Sequence, residues 1–240
     1  MPFEALLGTA ALVAGAIAAV AGFGIGSVLT PVLALQTGTK LAVAAIAIPH
    51  AIGTAQRYWL LRRHVERRML VGFGVASALG GLMGALAHAW VTSRILALIF
   101  GALLILAATA ELTGWMRKVR WGRHAAWAAG ALSGVLGGLV GNQGGIRAAA
   151  MLGFGVPKES FVATATAIAL FVDAARLPVY FATQWQEMAR IWPLVAIATA
   201  GVVVGTAFGT RLLGWLPERI FRRVVAALLA ALGVYMLARG

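Results

Sequence analysis

Apolar residues run through this chain in long blocks without alternation, and polar residues gather at the junctions between blocks. The pattern predicts helices over 4–21, 26–37, 40–61, 69–91, 94–113, 124–141, 146–155, 159–182, 190–214 and 219–238. Eight of these are long enough to cross a hydrocarbon core of about 30 Å at 1.5 Å per residue. Two, 26–37 and 146–155, are short, and each follows a cluster of glycines. Strands are not expected, because an open sheet facing lipid leaves backbone groups unpaired and the runs lack the alternation of a barrel.

The short helices belong to a repeat. A shift of 119 lays Gly22 on Gly141, Gly26 on Gly145, Leu33 on Leu152, Val43 on Val162, Ala44 on Ala163 and Arg57 on Arg176. A shift of 121 lays Gly80 and Gly84 on Gly201 and Gly205, and one of 125 lays Arg94 and Ile95 on Arg219 and Ile220. The chain therefore divides into two transmembrane repeats of about 120 residues, 1–116 and 117–240. The four later glycines, spaced by four, fit close helix packing.

Composition sets the surroundings. Of 240 residues 61% are hydrophobic and only 11% charged, so the fold class is an all-α polytopic membrane protein. The opening "MPFEALLGTA" lacks a basic stretch and carries Glu4, which favours a retained first span over a signal peptide. The net charge of +13 sits in "LRRHVERR" (61–68), "MRKVRWGRH" (116–124) and "RIFRR" (219–223), at the junctions. Such loops orient a membrane protein and meet anionic headgroups, so no nucleic-acid partner is expected. With Arg57, Arg147 and Arg176 set aside, a model in which the short helices cross the membrane puts 13 Lys/Arg inside and 4 outside. It makes the repeats inverted and leaves both termini outside. If the short helices only dip and return, the repeats are parallel and the split falls to 10 and 7. The inverted arrangement obeys the charge rule better, and inverted repeats with broken helices are a plan of secondary transporters.

A helix broken inside a membrane leaves N–H and C=O groups that protein, water or a ligand must satisfy, so a break lines a cavity. In "AGFGIGSVLTP" (21–31) the glycines, Gly24 and Gly26 among them, let the backbone approach a ligand, and the restarting helix presents N–H groups that suit an anion. In "GNQGGIR" (141–147), Asn142 and Gln143 stand beside Gly144 and Gly145, and Arg147 adds a fixed positive charge. These residues either bind an anion or satisfy the break itself. Arg57 and Arg176 hold matching positions, where they serve as twin anion ligands or snorkel to the interface. Asp173, three residues before Arg176, neutralises an arginine or, with its proton affinity raised by burial, carries protons. His50, after Pro49, is a second candidate for proton coupling.

The four histidines, at 50, 64, 88 and 124, show no metal-ligand spacing, and there is no cysteine, HExxH, GxSxG or phosphate-binding loop. No metal, no cofactor and no enzyme activity are expected. "AGFGIGSVLTPVLAL", the arginine-tyrosine pair in "AQRYW" and "GLVGNQGGIRAAAMLGFGVPKESFVATATAI" together resemble the sulfite exporter TauE/SafE family over about residues 10–238. This sequence departs by having Asn142 and Gln143 within the glycine run and Ala150 where the first repeat has Pro31. The resemblance implies a multi-pass permease of the bacterial inner membrane. It would export small sulfur-containing anions such as sulfite, sulfonates or sulfoacetate, with the anion between the glycine breaks and the halves rocking to alternate access. Its partners would be the small anion and the lipid bilayer, with a homodimer left open. The competing readings are a membrane enzyme acting on anionic lipid and an assembly protein.

Overall fold

The computed structural model describes residues 2–115, 123–141, 144, 147, 151, 158–213 and 217–239. Its helices are α1 (Phe3–Ala21), α2 (Ile25–Thr37), α3 (Thr39–Leu61), α4 (Arg67–Trp90), α5 (Ser93–Thr113), α6 (Arg123–Val140), α7 (Lys158–Arg190), α8 (Trp192–Leu213) and α9 (Glu218–Arg239). Among the described residues there is no strand. The sequence boundaries hold to within a residue or two at most ends, while the expected helix 146–155 lies largely outside the described residues. α7 runs past the expected end at 182 and bends at Gln184, whose backbone leaves helical geometry (φ −137°).

Six helices, α1, α4, α5, α7, α8 and α9, are long and apolar enough to cross a membrane. The eight-span expectation also counted α3 and α6. α3 has the length, 23 residues, but Lys40, His50, Gln56 and Arg57 dilute its apolar character. α6 opens with Arg123 and His124, and its apolar part is confined to Trp127–Val140.

Glycine ends the helices at both breaks in the same way. Gly22 closes α1 with φ +80° and donates its N–H to the Ala18 carbonyl at 3.0 Å. Gly141 follows α6 with φ +74° and donates to the Gly137 carbonyl at 3.0 Å. Only glycine takes this left-handed turn without a Cβ penalty.

The two halves of the chain interleave: α1 packs along α8, and α4 along α6. Both contacts run backbone against backbone. A Cβ on Gly205 would stand 2.1 Å from the Leu12 carbonyl oxygen, and one on Gly84 would stand 2.0 Å from that of Val135. Gly80 and Gly201 sit in the same two seams, so all four glycines are packing residues, as expected. Gly8 meets Ile197 and Gly209 meets Ala19, so α1 and α8 are parallel. Gly72 meets Trp127 and Gly84 meets Leu139, so α4 and α6 are parallel too. The equivalent helices α3 and α7 are antiparallel, with His50 on Asp173 and Arg57 on Thr166. So are α5 and α9, where Gly101 meets Leu237 and Arg222 reaches Glu111.

Candidate functional site

The two breaks meet at the centre of the molecule. A Cβ on Gly26 would stand 2.6 Å from the Gly141 carbonyl oxygen, and one on Gly144 only 2.4 Å from the Cβ of Phe23. Between them lies a narrow cleft lined by Gly22, Phe23, Gly24, Gly26, Ser27, His50, Gly141, Gly144 and Arg147. Gly24 takes φ +130°, closed to other residues without strain, and turns the chain into α2. The first amide of α2 with an acceptor inside the helix is that of Val28, bonded to the Gly24 carbonyl at 3.0 Å. This first turn is the positive end of the α2 dipole and lies beside the cleft.

Carbonyls in the last turns of the helices that end at the breaks are bound by side chains from α3, α4 and α7, those of Ala18 and Gly137 as a second bond beside the glycine N–H. Arg57 Nη1 donates to the Ala18 carbonyl at 2.7 Å, and its Nε donates to Thr166 Oγ1 at 3.0 Å. Arg176 Nη1 donates to the Gly137 carbonyl, also at 2.7 Å. Each arginine thus serves the carbonyl 39 positions before it. Tyr180 OH donates to the Gly138 carbonyl, and His88 Nδ1 lies 2.7 Å from that of Leu139. Three successive carbonyls at the end of α6 are thereby satisfied. Positive charge at a helix C-terminus also opposes the macrodipole. Arg57 and Arg176 are 5% and 1% exposed, so neither snorkels. Their guanidinium groups are engaged by the fold itself.

Asp173 is likewise occupied. Its Oδ1 accepts from Arg176 Nε at 2.9 Å and lies 2.7 Å from Nη2, while its Oδ2 lies 2.8 Å from His50 Nδ1. Arg147 differs from the other two arginines. It is 3% exposed, and its Nε and Nη1 have no hydrogen-bond partner among the described residues. It is not what neutralises Asp173: both carboxylate oxygens are held by Arg176 and His50. Arg147 thus sets a buried guanidinium, with two nitrogens unpartnered among the described residues, on the cleft wall.

Of the residues singled out from the sequence, Arg147, Gly24, Gly26, Gly144 and His50 come together around the cleft. Arg57, Arg176 and Asp173 form the layer behind it. Asn142, Gln143 and Gly145 lie outside the described residues. Sequence reasoning missed Phe23 and Ser27 as lining residues, although both stand next to the break glycines. It also missed His88 and Tyr180, whose partners are 51 and 42 positions away and leave no local signal.

The helices and the cleft define a polytopic α-helical membrane protein with a buried cation between two broken segments. The chain belongs to the sulfite exporter TauE/SafE family, whose model matches residues 7–236. Membership implies a membrane transporter of sulfite or related sulfur anions. No curated protein and no solved structure matches the chain.

Proposed function

We propose that this protein is a secondary transporter of the bacterial inner membrane that exports small sulfur-containing anions of the sulfite, sulfonate or sulfoacetate type, binding them at Arg147 in the central cleft. The observation that carries the reading is the buried guanidinium of Arg147, with Nε and Nη1 unpartnered beside the first turn of α2. An unpaired arginine at membrane depth costs at least about 2.5–3.5 kcal/mol, and a bound anion offsets that cost. The planar fork of arginine suits two oxygens of a sulfite or sulfonate group. Asn142, Gln143 and the Gly144–Gly145 backbone would orient the anion from the second break, while Arg57 and Arg176 act at longer range through their charge.

The repeats are inverted in this reading, with eight long spans and two short helices that also cross. Its support is the direction of equivalent helices. A two-fold axis along the membrane normal leaves a helix parallel to its counterpart, and an axis in the membrane plane reverses it. α3 and α7 are antiparallel, as are α5 and α9. The basic stretches 62–68 and 219–223 then face the cytoplasm, together with the linker near 116–124, in accord with the positive-inside rule.

Transport of labelled sulfite in proteoliposomes tests the proposal. Arg147→Lys keeps a charge but loses the fork, so it should retain part of the activity. Arg147→Gln should weaken binding roughly 10- to 150-fold, from about 1.5–3 kcal/mol for a charge-assisted hydrogen bond. Wild-type affinity in Arg147→Gln would refute this site.

A further inference from the structure

His50 lines the cleft that holds Arg147 and is the group in it able to change charge near neutral pH. Its Nδ1 lies 2.8 Å from Asp173 Oδ2. A carboxylate only accepts, so the proton of this bond is on Nδ1. Asp173 is in turn fixed by Arg176 through Nε and Nη2. The imidazole is therefore oriented from behind, and Nε2 has no partner among the described residues. Asp173, with both oxygens bonded, is the positioning residue of the pair.

The groups facing His50 explain why its charge would follow the ligand. α7 presents Asp173 and Arg176, α3 itself carries Arg57 further along, and Arg147 stands on the same cleft wall. α2 has no titratable side chain, and α1 has only Glu4 at its far end. With the cleft empty, three guanidinium groups face one carboxylate, and a fourth positive charge on His50 is opposed. An anion at Arg147 removes part of that opposition, and its oxygens give an Nε2–H a partner.

We infer that His50 is the proton-carrying residue of the cleft: it takes a proton onto Nε2 when the anion binds and loses it when the anion leaves, so each anion moves with one proton. The N–H bond forms with a proton from water at one face of the membrane and is broken at the other, and no electrons are exchanged. The inference rests on the reading of the cleft as an anion site, and it moves proton coupling from Asp173 to His50.

Isothermal titration of sulfite into the purified full-length protein, in buffers of different ionisation enthalpy, counts protons taken up per anion bound. Comparison with His50→Gln cancels the titration of sulfite itself. The wild type should take up about one proton more than the variant, and His50→Gln should still bind sulfite, more weakly. On the wild type alone, Kd corrected for ionisation of free sulfite should rise about tenfold per pH unit on the alkaline side of the His50 midpoint, the slope that one linked proton gives. That slope stands as the test if His50→Gln does not fold. Sulfite binding with a flat corrected profile, or with equal proton uptake in both proteins, overturns the inference while leaving the anion site intact. Absence of sulfite binding by the wild type overturns both.

Discussion

Arg147 and Arg176 are buried arginines in one protein, and replacing each by methionine should move stability in opposite directions. Arg176 makes two contacts with Asp173 and one with the Gly137 carbonyl. Arg176→Met leaves the buried carboxylate with His50 as its one hydrogen-bond partner among the described residues and strips a donor from the end of α6. Breaking a buried ion pair from one side costs about 3–5 kcal/mol. At about 2–4 °C per kcal/mol for a chain of this size, the melting temperature should fall by roughly 6–20 °C. Arg147 has no partner at Nε or Nη1, so Arg147→Met breaks no hydrogen bond at those atoms and relieves an uncompensated cation. Its melting temperature should stay level or rise, even as sulfite transport is lost. Intrinsic fluorescence of the eight tryptophans during heating in detergent reads both variants. Equal losses of stability would mean that Arg147 is held by the protein as Arg176 is, and would refute its assignment as the open cation.

Two further predictions concern packing and orientation. A Cβ on Gly138 would stand 1.9 Å from the Gly81 carbonyl oxygen, whereas one on Gly8 meets only the Ile197 side chain at 3.5 Å. Gly138→Ala should therefore lower the melting temperature clearly and Gly8→Ala should leave it within a degree or two, as heating curves in detergent will check. The chain has no cysteine, so single cysteines report orientation without background. In intact cells an impermeant thiol reagent should label Gln186→Cys and spare His64→Cys, and the reverse result would reject the proposed orientation.

The sequence revealed most where physics is local. Apolar runs located the helices, and glycines marked the two breaks, because glycine takes the positive φ at which Gly22 and Gly141 turn without a Cβ penalty. The pairing of Asp173 with Arg176 was legible from their spacing of three. Legibility failed where a side chain serves a distant backbone. Arg57 lies four residues from the end of α3, which in sequence reads as a position at the membrane surface. It is buried because it bonds groups that lie far off in the chain, the Ala18 carbonyl in the last turn of α1 and Thr166 Oγ1 on α7. Arg147 illustrates the converse. Its charge was visible, but that it stands unpaired depends on which partners the other arginines take, and that is a property of the assembled bundle.

The packing of α1 on α8 has a consequence for how the protein is made. α1 leaves the ribosome early, and residues 22–191 must follow before α8, its packing partner, begins. At about 5–20 residues per second that interval lasts on the order of 10–35 s. Throughout it the glycine seam of α1 lies open to lipid or to the insertion machinery. α6, by contrast, is synthesised after α4 and can dock at once. The two seams, alike in the finished molecule, thus close at different times, and a chain arrested before α8 is a product whose first helix has only α2 and Arg57 to hold.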